Sequence, residues 1–275
     1  AKYNPEKELY FIQQLAEFVN DPGKNILLLT TLHQNFSTYA KGLSKDQKKE
    51  WEKVKGRLSD ISFDEPIEQL LFLAAKRIQE FSFSQPPEDS FNALFDLINE
   101  SRLINNAPVL DKALARDLYP LDYLSAYILT NALQRYGQNE RSLFTFLASL
   151  DTFSLQKFDT NLTPYYNIPN VFEYLTQTLS QELNDRDNPH KPTWKAMYAA
   201  LDKADAYNDE HYEQLKHIIQ CIGLINIFGK PSGLLDEKIL AAYLYHTVGI
   251  ENAKELIQSL IQQKIIKFFN HKNKL

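Results

Sequence analysis

Apolar residues return every three or four positions through most of this chain and run together or alternate in only three short places. The helical spacing is clear in Glu8 to Asn20, where Leu9, Ile12, Leu15, Ala16 and Val19 share one face. It returns after Pro66, with Ile67, Leu70, Leu71, Ala74, Ala75 and Ile78 on one stripe and Asp64 placed to cap the helix. Further helices are predicted over Phe91 to Asn105, Val109 to Asp117, Leu121 to Tyr136 and Glu140 to Ser149, with Gly137 at a helix end that favours positive φ. A second group covers Val171 to Leu183, Thr193 to Ala206 and Asp209 to Phe228, and a last pair Asp236 to His246 and Asn252 to Gln263. Turn-rich stretches separate them at 82–90, 159–170 and GKPSG, residues 229–233, which reads as a hinge.

Three segments read as strands: Ile26 to Thr30, Leu58 to Phe63 and Ile265 to Phe269. Two isolated strands near the start cannot form a stable sheet alone, so partners must be supplied from elsewhere. Ile26 to Leu29 is apolar on both faces, the pattern of a central parallel strand covered by helices on both sides. Ligands sit beyond the carboxyl ends of such strands, which is where Thr30, Thr31, His33, Gln34 and Asn35 fall. The amphipathic helix at the very start and the unreturned run at 265–269 are expected of the interior of a longer protein.

The fold class expected is mainly α. The pattern divides the chain into 1–63 with its two strands, a helical lid bundle at 64–150, a further helical domain at 151–230 and an incomplete winged helix at 231–275. A length of 275 residues with 44% hydrophobic residues suffices for a substantial core. The net charge of −5 gives no global field toward nucleic acid or an anionic membrane, so any nucleic-acid contact must be local. The strongest local candidate is KGLSKDQKKEWEKVKGR, residues 41–57, with seven Lys and Arg against three acids; a solvated helix face is the simpler reading, with Trp51 as its anchor. The single cysteine, Cys221 in an apolar setting, fits a buried thiol in a reducing compartment. With no long apolar run and no signal-like start, a cytoplasmic protein without membrane contact is expected. The six histidines carry no zinc-binding spacing, and no metal site is predicted within the chain.

Two segments resemble a known family. GRLSDISFDEPIEQLLFLAAKRI, residues 56–78, is similar to the junction between core and lid in AAA+ P-loop ATPases of the origin-recognition and STAND-like branches. YPLDYLSAYILTNALQRYGQNERSLFTFLAS, residues 119–149, resembles the lid of large bacterial P-loop ATPases found in phage-defence gene clusters. The resemblance implies that residues 1–63 are the end of a P-loop α/β core, with Ile26 to Thr30 as its sensor-1 strand and Leu58 to Phe63 as its last strand. It implies ATP and Mg as cofactors, held only together with a further part of the ATPase core, because GxxxxGK[ST] is absent and no apolar run of strand length ends in Asp-Glu.

On that resemblance Thr31 and Thr30 would place a hydroxyl near the γ-phosphate, against the plain reading of both as strand residues. Arg57 would be a finger reaching a neighbouring subunit's nucleotide in a homo-oligomer, against a surface salt bridge. Arg141 would touch the β- and γ-phosphates as sensor 2, which would offset a cation in the first turn of a helix capped by Asn139; the alternative is a pair with Glu140 or Asp122. The implied function is an ATP-driven switch in a bacterial defence or DNA-processing complex, inactive as this segment alone and acting on a partner protein. The other reading is a helical interaction module without nucleotide chemistry.

Overall fold

In the computed structural model the described residues are 5–31, 44–59, 66–84, 86–104, 111–137, 143–186, 188–206, 210–269 and 274–275. They hold thirteen α-helices and no β-strand, only isolated bridges. The chain divides into two compact units, Ala1–Asp64 and Glu65–Leu275.

The first unit is a helical hairpin of α1 (Pro5–Val19) and α2 (Lys45–Lys55). Ser44 caps α2 in a reciprocal capping box with Gln47, which fixes where that helix starts. Trp51 and Val54 pack on Leu9, with Ile12 and Leu58 at the margin, so the charged α2 is held by two apolar residues one turn apart.

The second unit is built around two helices buried on nearly every side, α6 (Tyr123–Tyr136) and α11 (Tyr212–Phe228). Both lack the usual polar stripe: all of α6 from Tyr123 to Thr130 is buried, as are Ile218 to Ile225 on α11. Around α6 pack α3 (Ile67–Ile78), α4 (Glu88–Ser101), α7 (Leu143–Ala148) and α8 (Ile168–Thr178). The short α5 (Lys112–Asp117) lies on α3 and α4. Around α11 pack α8, α10 (Lys191–Ala206), α12 (Glu237–Val248) and α13 (Ala253–Gln262), while α9 (Ser180–Leu183) extends α8 after a break at Leu179. Gly223 lets α11 approach α10 closely, since a Cβ there would fall on the Met197 thioether. Glu88 accepts both guanidinium N–H groups of Arg116, at 2.6 and 2.8 Å, tying α4 to α5; these bonds hold its carboxyl down at about 2.

Several expectations are corrected. Ile26 to Thr30 is irregular, because among the described residues it has no strand to pair with. Leu58 and Ser59 leave α2 through a turn, and the rest of the expected strand to Phe63 lies outside the described residues, as does Asp64. Ile265 to Phe269 is a turn beginning at Lys264, whose φ is 58°, and only Phe269 makes a single bridge, to Lys274. The segments 64–150, 151–230 and 231–275 share one continuous core, since α6 and α11 are apolar all round and need cover from helices of all three. Gly137 has φ −66°, so α6 ends without a left-handed residue there.

GKPSG is a fixed corner, not a hinge. Lys230 N–H donates to Leu103 O at 2.6 Å and Leu234 N–H to Ser101 O at 2.7 Å, while Lys274 Nζ donates to Lys230 O at 2.9 Å. A Cβ on Gly233 would meet Arg102 O and Leu103 Cα, both at 2.8 Å. Neither is the yielding end of a side chain, so Gly233→Ala is expected to cost about 1–3 kcal/mol in urea unfolding. A change within about 0.5 kcal/mol would show that the corner gives way freely.

Candidate functional site

In the first unit, Arg57 follows the last turn of α2 and folds back on the hairpin. Its guanidinium meets Glu17 on α1 at 2.7 Å and donates to Lys53 O at 2.9 Å. The Asn20 side chain donates to Arg57 O at 2.8 Å, so the link between α1 and α2 holds backbone and side chain together. Thr30 and Thr31 are exposed and end a run whose apolar side chains are also exposed: Ile26 at 48%, Leu27 at 81% and Leu29 at 78%. Arg141 and its expected cap Asn139 lie outside the described residues, as do His33, Gln34 and Asn35. No phosphate cradle is formed by the described residues of this unit, for the one guanidinium in it is already paired.

The most concentrated polar chemistry of the second unit was not expected from sequence. Asp122 caps α6 by accepting from Ser125 N–H at 2.9 Å, and its second oxygen accepts from Ser125 Oγ at 2.5 Å and from Tyr243 OH on α12 at 2.8 Å. Tyr243 OH accepts from Ile168 N–H at the start of α8, at 3.1 Å. The neighbouring Asn167 caps α8 and donates through Nδ2 to Thr247 O at 3.0 Å, a second tie between α8 and α12. Asp122, Ser125, Asn167 and Thr247 are all buried. Burial lifts the Asp122 carboxyl to about 6, against the lowering effect of its bonds from Ser125 and Tyr243, and lifts Tyr243 and Cys221 well above their ordinary values.

A serine hydroxyl on a carboxylate has the parts of an activated nucleophile, but the surroundings exclude that role. Asp122 and Ser125 are themselves buried, and the cavity that Tyr243 lines with Ser101, Leu124 and Leu240 has a volume of about 10 Å³. That is room for about one water and no substrate. The network is a structural junction. Its sequence signal was the D-x-x-S spacing of Asp122 and Ser125 at a helix start, which marks a cap; nothing in the sequence pointed to Tyr243, 118 residues beyond Ser125.

A wider depression of about 360 Å³ lies on the C-terminal helices, lined by Glu237, Lys254, Glu255, Gln258, Ser259 and Gln262. Its charges are mixed, and Gln258 donates across it to Glu237. Elsewhere in the unit Arg135 Nη1 donates to His190 Nε2 at 2.6 Å, and burial with this neighbouring cation lowers the His190 pKa. Among the described residues no three His, Cys, Asp or Glu side chains converge as metal ligands, and no helix is long and apolar enough to cross a membrane. No protein-family model, curated protein or solved structure matches the chain.

The Arg57–Glu17 pair is partly exposed, at 31% and 51%, and solvent screens it. Arg57→Ala is therefore expected to change stability by at most about 1 kcal/mol, with a Glu17 double-mutant cycle giving a coupling below that value. A loss of several kcal/mol would make the pair a main support of the hairpin.

Proposed function

We propose that this chain supplies the sensor, lid and winged-helix parts of an ATP-driven switch and that its first unit is completed by polypeptide bearing the phosphate-binding loop. The supporting observation is the run from Ile26 to Thr31. Three large apolar side chains stand in solvent on a chain segment that no hydrogen bond joins to another described residue, within a unit whose core cluster among the described residues is Leu9, Trp51 and Val54. Exposure on that scale is unusual for a self-sufficient unit and fits a strand awaiting a sheet. In this reading Thr30 and Thr31 are the sensor at the strand's end, and Arg57 would exchange Glu17 for phosphate when a neighbouring subunit presents it. Arg141 would be the second sensor, ATP and Mg the cofactors, and a bacterial defence or DNA-processing complex the setting.

A second reading, a helical interaction module without nucleotide chemistry, is favoured by the Arg57–Glu17 pair, which occupies the expected finger. Nucleotide turnover separates the two. In the assembly that contains the phosphate-binding loop, Arg57→Ala is expected to lower ATP hydrolysis by on the order of a thousandfold, and Arg141→Ala to weaken ATP binding as well. Unchanged turnover and binding in both variants would leave the interaction module as the function.

A further inference from the structure

Three side-chain oxygens form a triangle where α6, α8 and α12 meet. Ser125 Oγ lies 2.5 Å from Asp122 Oδ2, Tyr243 OH lies 2.8 Å from the same oxygen, and the two hydroxyls are 3.1 Å apart. With Asp122 ionised, the two hydroxyl protons both point at the carboxylate, and the third edge brings two oxygens together with no proton between them. One more proton closes the triangle. The carboxyl O–H donates to Ser125, Ser125 to Tyr243 and Tyr243 back to the carboxyl, so each edge carries one hydrogen bond, and Tyr243 OH accepts from Ile168 N–H as well.

We propose that Asp122, Ser125 and Tyr243 form a proton-operated clamp: uptake of one proton seats α12 on α6 and α8, and its release loosens that seat. The clamp joins distant parts of the chain, because Tyr243 also holds the first turn of α8 through Ile168 N–H. The titratable groups facing Asp122 are Tyr243 from α12, Cys221 from α11 and Tyr165 from the connector before α8. All three are kept neutral by burial, and among the described residues no cation is one of the groups that set the Asp122 charge. From α6 itself only Ser125 and the backbone serve it.

The direction follows from linkage. An acid raised from 3.8 to about 6 on folding binds its proton more tightly in the folded state, so its contribution is fully present below pH 3.8 and is lost as pH rises through about 6. Glu88, held down at about 2, acts in the opposite sense and only below its ordinary range, outside this window.

Carbon-13 NMR of the Asp122 carboxyl in the full chain is expected to titrate near pH 6. Amide protection across α12, corrected for intrinsic exchange, is expected to be about tenfold greater at pH 5 than at pH 7.5. Asp122→Asn, neutral and of the same shape, should show no such ratio. A carboxyl midpoint below 4.5, or a protection ratio unchanged by Asp122→Asn, would overturn the clamp. If that variant does not fold, the pH at which α12 protection falls decides the matter: it has to coincide with the carboxyl midpoint.

Discussion

A carboxyl group removed from water, with no cation beside it among the described residues, has to be surrounded by hydrogen-bond partners, and in this protein they come from separate helices. Asp122 takes one backbone and one hydroxyl donor from its own helix and a third from Tyr243 on α12, and Tyr243 is in turn bonded by the backbone of α8. Leaving out any one of these elements would strand a buried charge or a buried hydroxyl, at a cost of several kcal/mol. The three helices therefore have to be in place together. Asn167, donating to Thr247 O one residue before α12 ends, ties the same pair a second time.

This constraint explains why segments that read as separate helical domains share one core. The sequence divides at its turns, and GKPSG is rich in the residues that make turns, but composition does not reveal whether a turn is free or docked. Here the corner is bonded to Ser101 and Leu103, and Gly233 fits because nothing larger would clear the backbone of 102–103. A glycine chosen for close approach and a glycine chosen for flexibility look alike in sequence.

Helix positions were legible because they depend on local periodicity and caps. The stripe at Ile67 to Ile78 became α3 with the same bounds, and Asp236 caps the helix expected to begin there. The strands were not legible, because an apolar run of four residues says only that it prefers to be covered. Ile26, Leu27 and Leu29 stay exposed among the described residues with Leu28 half-buried, and the chain turns at Lys264 before Ile265 to Phe269, which makes one bridge through Phe269. Of the four site residues expected, Thr30, Thr31 and Arg57 lie in the hairpin unit, with Arg57 already paired to Glu17, and Arg141 lies outside the described residues. The buried triangle escaped notice since its third member is distant in sequence, and only the fold brings it near.

The central claim is that residues from α3 to α13 form one cooperative body locked at Asp122. Native-state hydrogen exchange of the full chain at about pH 5, where Asp122 holds its proton, in rising urea tests it most directly, by comparing amides of α6 at Ile128, α11 at Leu224, α12 at Leu244 and α13 at Ile257. The account predicts that all four converge on one opening free energy and one urea dependence. Earlier opening of α12 and α13, with a smaller urea dependence, would contradict it and restore the C-terminal helices as a domain of their own.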